Sequence, residues 1–312
     1  MQKAIDQSIE YLKSESAENS IKQDPYWPKW NSPWWHMLVL FELDLTEKIP
    51  GKIINLMAEK IDSHYLHSFP LIESELPEGI DTYREIMCFC ACGSIMQIFC
   101  EYGYDYKKKF PWVCEWIEKY QLPDGGYNCE EGAYTASKKS SVNSTLPVLE
   151  LLIRDNALLS EEKRKEILIK GFKYLKSKNL IYSSKDPEKV MDPDFFIPTF
   201  PRYYYYDIIR GLKFMVDFIT EFPEYYEKNE FDRWLLEAKA CLNNIKCNSM
   251  LETQTLFETD GKWLDQEGKW MFKATSKFPL LEYFNQVDNV ILIIERELKK
   301  LVDRLEKIDE QN

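Results

Sequence analysis

The sequence predicts an all-α fold. Apolar residues recur at intervals of three and four, and runs that alternate apolar and polar over a strand's length are nearly absent. Glycine is scarce, 11 in 312 residues, about half the usual share of roughly 7%. A β protein with many turns, or a nucleotide fold built on glycine fingers, needs more.

The elements follow in order. Ile5, Ile9 and Leu12 form a first stripe, and Ile53, Ile54, Met57 and Ile61 a second. Residues 86–100 are apolar nearly throughout. They fall short of the roughly 20 residues that span a bilayer, so a buried core helix is expected there. Leu146, Leu149 and Ile153 continue the pattern, then Ile167, Phe172 and Leu175, then Ile208, Leu212, Met215, Val216 and Ile219. Val290, Ile294, Leu298, Leu301 and Leu305 close it. These are the spacings of amphipathic helices. Between them lie aromatic segments bearing Pro or Gly, at 24–35, 69–83, 122–129, 192–206 and 258–272. Each precedes an apolar helix expected to start near residue 34, 82, 142, 203 or 280. Ser32, Asp81 and Ser141 are the expected caps of the first three. The spacing of roughly 50–80 residues suits a helical repeat array. No linker divides the chain, so residues 1–312 read as one domain with a helical tail from about residue 286.

Charge and cysteine usage bound the function. With 40 Lys+Arg against 52 Asp+Glu the net charge is −12, which disfavours a grip on nucleic acid. Short lysine runs at 107–109 and 138–139 are too few to reverse this. The charged, amphipathic start MQKAIDQSIEYLKSES lacks the apolar stretch of a secretory signal. The eight cysteines sit in a chain large enough to build a core without disulfides. A reduced, cytoplasmic protein without a transmembrane segment is expected; peripheral membrane contact and oligomeric state stay open. Cys88, Cys90 and Cys92 step by two, about 200° around a helix axis, so only Cys88 and Cys92 would share a face, as small buried hydrophobes. Glycine-finger, P-loop, Gly-x-Ser-x-Gly and His-Glu-x-x-His motifs are absent.

One motif points to a family. Gln121-Leu122-Pro123-Asp124-Gly125-Gly126-Tyr127-Asn128-Cys129 lies between two apolar helices. It resembles the Gln–Trp repeat of the squalene cyclase and prenyltransferase α/α toroids. Asp260-Gly261-Lys262-Trp263 resembles a second copy lacking the Gln, and the run from Arg202 through Tyr206 and Asp207 to Leu212 resembles the aromatic start of an inner helix, as does Pro33-Trp34-Trp35-His36-Met37. The resemblance implies helix pairs in two concentric rings around a central cavity, with the inner-helix N-termini at one mouth. In that family the motif chiefly ties turns to helix ends, so Asp124 to Tyr127 also reads as a structural turn, while Asn128 and Cys129 are placed to face the mouth.

The resemblance also frames the chemistry. Toroid cyclases protonate an alkene with the middle Asp of Asp-x-Asp-Asp. The nearest match is Asp192-Pro193-Asp194-Phe195, whose last Asp is replaced by Phe. Two such close carboxylates raise one pKa, which suits a general acid; an Asp-Pro turn is the competing reading. Prenyltransferases hold zinc with an Asp-x-Cys pair and a distant His, and this chain has no such pair. Zinc could still use Asp124 or Cys129 with His36, His64 or His67. With three His and no Cys-x-x-Cys, no metal and no cofactor are expected.

The surplus of aromatics, Trp27, Trp30, Trp34 and Trp35 with Tyr203 to Tyr206, suits a cavity that stabilises cations through ring faces. It also suits stacking on sugars, or simple packing. Candidate ligand contacts are Trp34, His36, Tyr204 and Tyr206, with Asp124, Asn128 and Cys129 at the mouth. Arg84, Arg202 and Arg210 are candidates to fix an anionic group at a helix N-terminus, or equally to pair with Glu85 or Asp207, and Asp207 is itself a candidate contact. Three functions follow. The first is a terpenoid cyclase-like or prenyltransferase-like toroid for an apolar, isoprenoid ligand, with Asp192 or Asp194 as acid in a cyclisation or isomerisation. The second is a non-catalytic toroid that binds a ligand or a protein. The third is a carbohydrate-active barrel, with Asp124 and Asp194 opposed across roughly 5–10 Å. A dry aromatic cavity favours the first, a carboxylate-lined one the third, and a filled one a scaffold.

Overall fold

The computed structural model describes residues 1–247, 261–264, 270–273 and 277–311, and it is mostly helical, as predicted. The helices are α1 Gln2–Leu12, α2 Glu15–Gln23, α3 Pro33–Glu42, α4 Gly51–His64, α5 Phe89–Tyr102, α6 Tyr106–Lys109 and α7 Pro111–Lys119. Then come α8 Val142–Arg154, α9 Glu161–Lys176, α10 Ile208–Glu221, α11 Lys228–Cys247, α12 Pro279–Phe284 and α13 Val287–Gln311. Two small antiparallel hairpins pair β1 Tyr182–Ser183 with β2 Asp186–Val190 and β3 Gly261–Leu264 with β4 Trp270–Lys273. The Gly261–Trp263 part of the expected second motif copy therefore lies in a strand; Asp260 lies outside the described residues.

Sequence patterning decides which helices lie inside. α3, α5 and α10 are buried over most of their surface, including Trp34 to Leu40, Ala91 to Phe99 and Ile208 to Leu212. A helix that is apolar on several faces can only be satisfied inside the protein. α4, α9 and α13 bury one stripe each, in α13 Val290, Ile294, Leu298, Leu301, Leu305 and Ile308. That stripe docks α13 on α10 and α11, so the segment expected as a tail is part of the body. Contacts run in succession from α3 to α5, α8, α10, α13, α12 and α1, and α1 returns to α3. α4, α6, α9 and α11 lie against members of this succession or against each other. Nearly all buried apolar residues among those described form one cluster, from Ala4 to Ile308.

α5 and α8 approach each other backbone to backbone. A Cβ on Gly93 would stand 2.5 Å from the Pro147 carbonyl carbon and 2.7 Å from the Val148 nitrogen. Gln97 spans the seam, donating from Nε2 to the carbonyls of Gly93 and Pro147 at 3.2 Å each.

The Gln121–Tyr127 segment is a turn held at both ends. Gln121 Nε2 donates to the carbonyls of Gly125 (2.9 Å) and Ile167 (3.0 Å), which ties the turn to α9. Gly125 has φ +102°, and a Cβ there would meet the Lys170 carbonyl oxygen at 2.3 Å, so glycine is required. Tyr127 is fully buried and its hydroxyl donates to the Ile117 carbonyl at 2.7 Å.

Two helix starts differ from expectation. α5 begins at Phe89 rather than near 82, because the Asp81 carboxylate accepts the Tyr83 N–H (2.9 Å) in a local turn and the chain stays non-helical through Cys88. α10 begins at Ile208 rather than near 203, because the cap is Asp207: its carboxylate accepts the Arg210 N–H at 2.8 Å, and Tyr203 takes the left-handed conformation at φ 57°. Ser32 and Ser141 do occupy N-cap positions, but neither side chain bonds its helix, and the Ser32 hydroxyl donates to the Tyr26 carbonyl instead. Among the described residues no helix is long and apolar enough to cross a membrane.

Candidate functional site

The segments that precede α3, α5, α8 and α10 meet at one end of those helices. They wall a cavity of about 680 Å³ whose lining includes Tyr26, Trp27, Phe69, Met87, Cys88, Cys90, Cys129 and Tyr204. Lys29 and Arg84 stand in the same wall, and among the described residues its only carboxylates are the exposed Glu73 and Glu131. Residues of the same helices, of the loop before α10 and of α13 line a second cavity of about 590 Å³. That one is charged: Glu42, Glu150, Arg202, Arg210, Lys213, Asp217 and Glu297 face it.

Aromatic packing lies between the two. Trp30 stacks on Tyr203 (5.5 Å between centroids) and Trp35 meets Tyr203 edge-on (5.0 Å); both also contact Tyr204. Tyr203 lines the charged cavity and Tyr204 the aromatic one. Trp30, Trp34, Trp35 and Tyr203, expected to wall a central hollow, are instead packed as almost fully buried side chains, as the large area of such rings favours.

Several charges of the second cavity are held by partners. Arg210 donates from Nε and Nη2 to Glu150 at 2.9 and 2.7 Å. Burial works against the Glu150 carboxylate, but Arg210 beside it holds its carboxyl below the usual range. Arg202 reaches Asp207 at 2.6 Å and Glu297 at 2.8 Å. Glu42 accepts the backbone N–H groups of Arg202 (2.7 Å) and Tyr203 (2.6 Å), and burial still raises its pKa. This network orients the Tyr203–Asp207 loop more readily than it offers a free acid or base.

Three thiols meet in the wall of the aromatic cavity. Cys88 Sγ lies 3.1 Å from Cys90 Sγ, Cys90 Sγ lies 3.5 Å from Cys129 Sγ, and all three lie within 4.8 Å of one another. Helical stepping would have pointed Cys88 and Cys90 apart. Cys88 escapes it because it is the N-cap, with extended backbone at φ −85° and ψ 158°, one residue before the helix. Cys129 arrives from the end of the Gln121–Tyr127 turn, and the Ser144 hydroxyl of α8 donates to its sulfur at 3.0 Å. The neighbouring thiols of Cys129 and Cys90 hold the Cys88 thiol well below its ordinary pKa, while the same sulfur–sulfur contacts and burial push Cys90 up. Cys92 lies outside the group, buried and with its thiol pushed up by burial, as expected of a small hydrophobe.

The residues singled out from the sequence separate accordingly. Cys129, Tyr204 and Arg84 line the aromatic cavity. Arg84 is already engaged, donating to Asp24 at 3.0 and 2.6 Å. Arg210 lines the charged cavity, whereas Asp207, fully buried, is a helix cap. Asp192 and Asp194 line neither cavity: Asp192 caps its own turn by accepting the Asp194 N–H at 3.0 Å, and Asp194 is exposed. A general acid must reach the proton acceptor, so the Asp-Pro turn reading describes them. Asp124 is exposed and accepts from the Ser140 backbone and hydroxyl, so it does not oppose Asp194 across a cavity. Asn128 donates to the Lys139 carbonyl at 2.8 Å within its loop. Trp34 and Tyr206 are buried away from both cavities, the Tyr206 hydroxyl donating to the Leu180 carbonyl at 3.0 Å.

The histidines are equally dispersed. His36 is 3% exposed and stacks on Phe278, with centroids 3.7 Å apart. His64 lies 3.6 Å from Asp24, and His67 stacks on Trp112 at 5.5 Å. None joins Cys129 or Asp124, so the His-based zinc sets do not assemble among the described residues.

In comparisons with protein-family models, curated proteins and solved structures, nothing matches this chain. The site therefore rests on its own geometry. Sequence reasoning missed Cys88 and Cys90 as site residues. Their signal is a Cys-x-Cys pair at a helix start, facing a Cys just past a glycine turn.

Proposed function

We propose that the chain is an α/α toroid, of the architecture that squalene cyclases and prenyltransferases share, and that it binds an apolar, isoprenoid-like small molecule in the aromatic cavity. Support for the ring comes from the succession of contacts that leads from α3 through α5, α8, α10, α13 and α12 to α1 and back. The Gln121–Tyr127 turn, tied to α9 by its glutamine, supports it independently.

The observation that carries the binding reading is the wall of the 680 Å³ cavity: ring faces of Tyr26, Trp27, Phe69 and Tyr204 with the apolar side chains of Ile86 and Met87. Such a surface gains about 25 cal/mol for each Å² of apolar ligand it removes from water. The activity we assign is binding rather than acid-initiated cyclisation, because among the described residues no aspartate stands in that wall and its two glutamates are exposed at the surface.

The test is a titration of the purified protein with farnesol and with farnesyl diphosphate, followed by tryptophan fluorescence, with a cello-oligosaccharide as the sugar arm. Saturable one-to-one binding of an isoprenoid is expected, weakened about tenfold, or roughly 1.4 kcal/mol, by Tyr204→Ala or Trp27→Ala. Binding of the sugar alone, no saturable binding of either isoprenoid, or unchanged affinity in both variants would overturn it.

A further inference from the structure

We infer that Cys88, Cys90 and Cys129 form a three-thiolate site for a thiophilic divalent cation, zinc in the ordinary case, whose fourth coordination position opens into the aromatic cavity. The sulfur geometry carries this. Three free thiols brought within 4.8 Å of one another, with contacts of 3.1 and 3.5 Å, are too far apart for a disulfide. They are close to the edge of a zinc–thiolate tetrahedron, about 3.8 Å for bonds of about 2.3 Å. Reaching it needs the Cys88–Cys90 pair to open by about 0.7 Å and the Cys90–Cys129 pair by about 0.3 Å.

The supports are independent of one another. Cys88 and Cys90 sit at the start of α5, while Cys129 comes from a loop 39 residues beyond Cys90. The fold holds these segments together through the α5–α8 contact at Gly93, where the backbones leave no room for a Cβ. Ser144 donates to the Cys129 sulfur at 3.0 Å, the second-layer hydrogen bond that orients a metal-bound thiolate. Lys29 stands in the same wall, where it offsets the net negative charge of three thiolates on one divalent ion.

The fourth position follows from what is nearby. Sites with a purely structural role are closed by four protein ligands, while an open position admits water or a donor atom of a bound molecule. No histidine or carboxylate completes the trio among the described residues, and all three cysteines line the cavity. Neither the sulfur positions nor the Ser144 hydrogen bond depends on what the cavity binds, so the metal site stands or falls separately from isoprenoid binding.

The test uses the full chain, purified under reducing conditions, stripped with a chelator and titrated with Co²⁺ and then Zn²⁺. One metal per chain is expected, with a thiolate-to-cobalt charge-transfer band and the intense visible bands of four-coordinate Co²⁺, both lost on adding Zn²⁺. Cys88→Ser, Cys90→Ser and Cys129→Ser should each weaken Zn²⁺ binding by more than tenfold, and Ser144→Ala by about tenfold. Cys100→Ser, outside the trio, should leave it unchanged. Circular dichroism of each metal-free variant establishes that it is folded. Absence of stoichiometric metal in the reduced protein, the weak spectrum of six-coordinate Co²⁺, or undiminished binding in the folded Cys88→Ser/Cys90→Ser/Cys129→Ser variant would overturn the site. So would a disulfide between two of these cysteines that persists under the reducing conditions.

Discussion

Replacing His36 by leucine removes an ionisable ring from the middle of α3. The imidazole is 3% exposed, lies against Phe278 and Tyr11 at centroid distances of 3.7 and 4.4 Å, and its Nδ1 has no hydrogen-bond partner among the described residues. Burial lowers its pKa from 6.5 to about 3. A base held neutral in the folded state contributes stability that is fully present above the unfolded pKa. That stability is lost as pH falls from 6.5 toward 3, because the unfolded chain then binds a proton that the folded chain refuses. At about pH 4.5 the unfolded ring is two units below its own pKa, so the loss is about 2.7 kcal/mol at 1.36 kcal/mol per unit. The assay is urea unfolding of the wild type and of His36→Leu at about pH 7.5 and about pH 4.5, read by circular dichroism. Groups that titrate in both proteins cancel, as does any packing cost of leucine, since only the change with pH is compared. The wild type should lose about 2–3 kcal/mol more than the variant. Equal losses, within about 0.5 kcal/mol, would refute the burial argument.

Gly93→Ala should cost about 3 kcal/mol or more in urea unfolding, since its Cβ would stand 2.5 Å from the Pro147 backbone on the facing helix. Glu150→Gln should lower stability by about 3–5 kcal/mol by leaving the Arg210 guanidinium, whose side chain is 8% exposed, without its carboxylate. Combining Arg210→Met with Glu150→Leu should cost less than the single change, and a larger cost would refute that reasoning. Gln121→Ala should cost about 1–2 kcal/mol in thermal or urea unfolding, for the two hydrogen bonds to the Gly125 and Ile167 carbonyls that it removes.

Features written into neighbouring residues are legible in the chain itself. The apolar stripes place α4, α8, α9 and α13, and the apolar run at 86–100 marks the buried α5, though not its start. The Gln121–Tyr127 turn is readable because glycines, an aromatic and a glutamine act over a few positions. Helix starts are misread where a turn competes locally: the Asp81 turn and the Asp207 cap each delay a helix by several residues. The aromatic surplus is legible as an amount but not as a place. Trp34 and Tyr206, expected at a ligand, are packed instead, while Trp27 and Tyr204 face the cavity.

Local chemistry along the chain dictates helices and a glycine turn held by glutamine, because periodicity and turn formation depend on residues a few positions apart. Which side chains meet is a property of the packed fold. Glu42, Glu150, Glu297 and the Arg202–Arg210 stretch come from four separate parts of the chain and meet at the charged cavity. Cys129 reaches Cys88 and Cys90 because α5 and α8 pack backbone to backbone at Gly93. No pattern along the chain encodes such convergence, since it depends on how separate helices are positioned by a shared core.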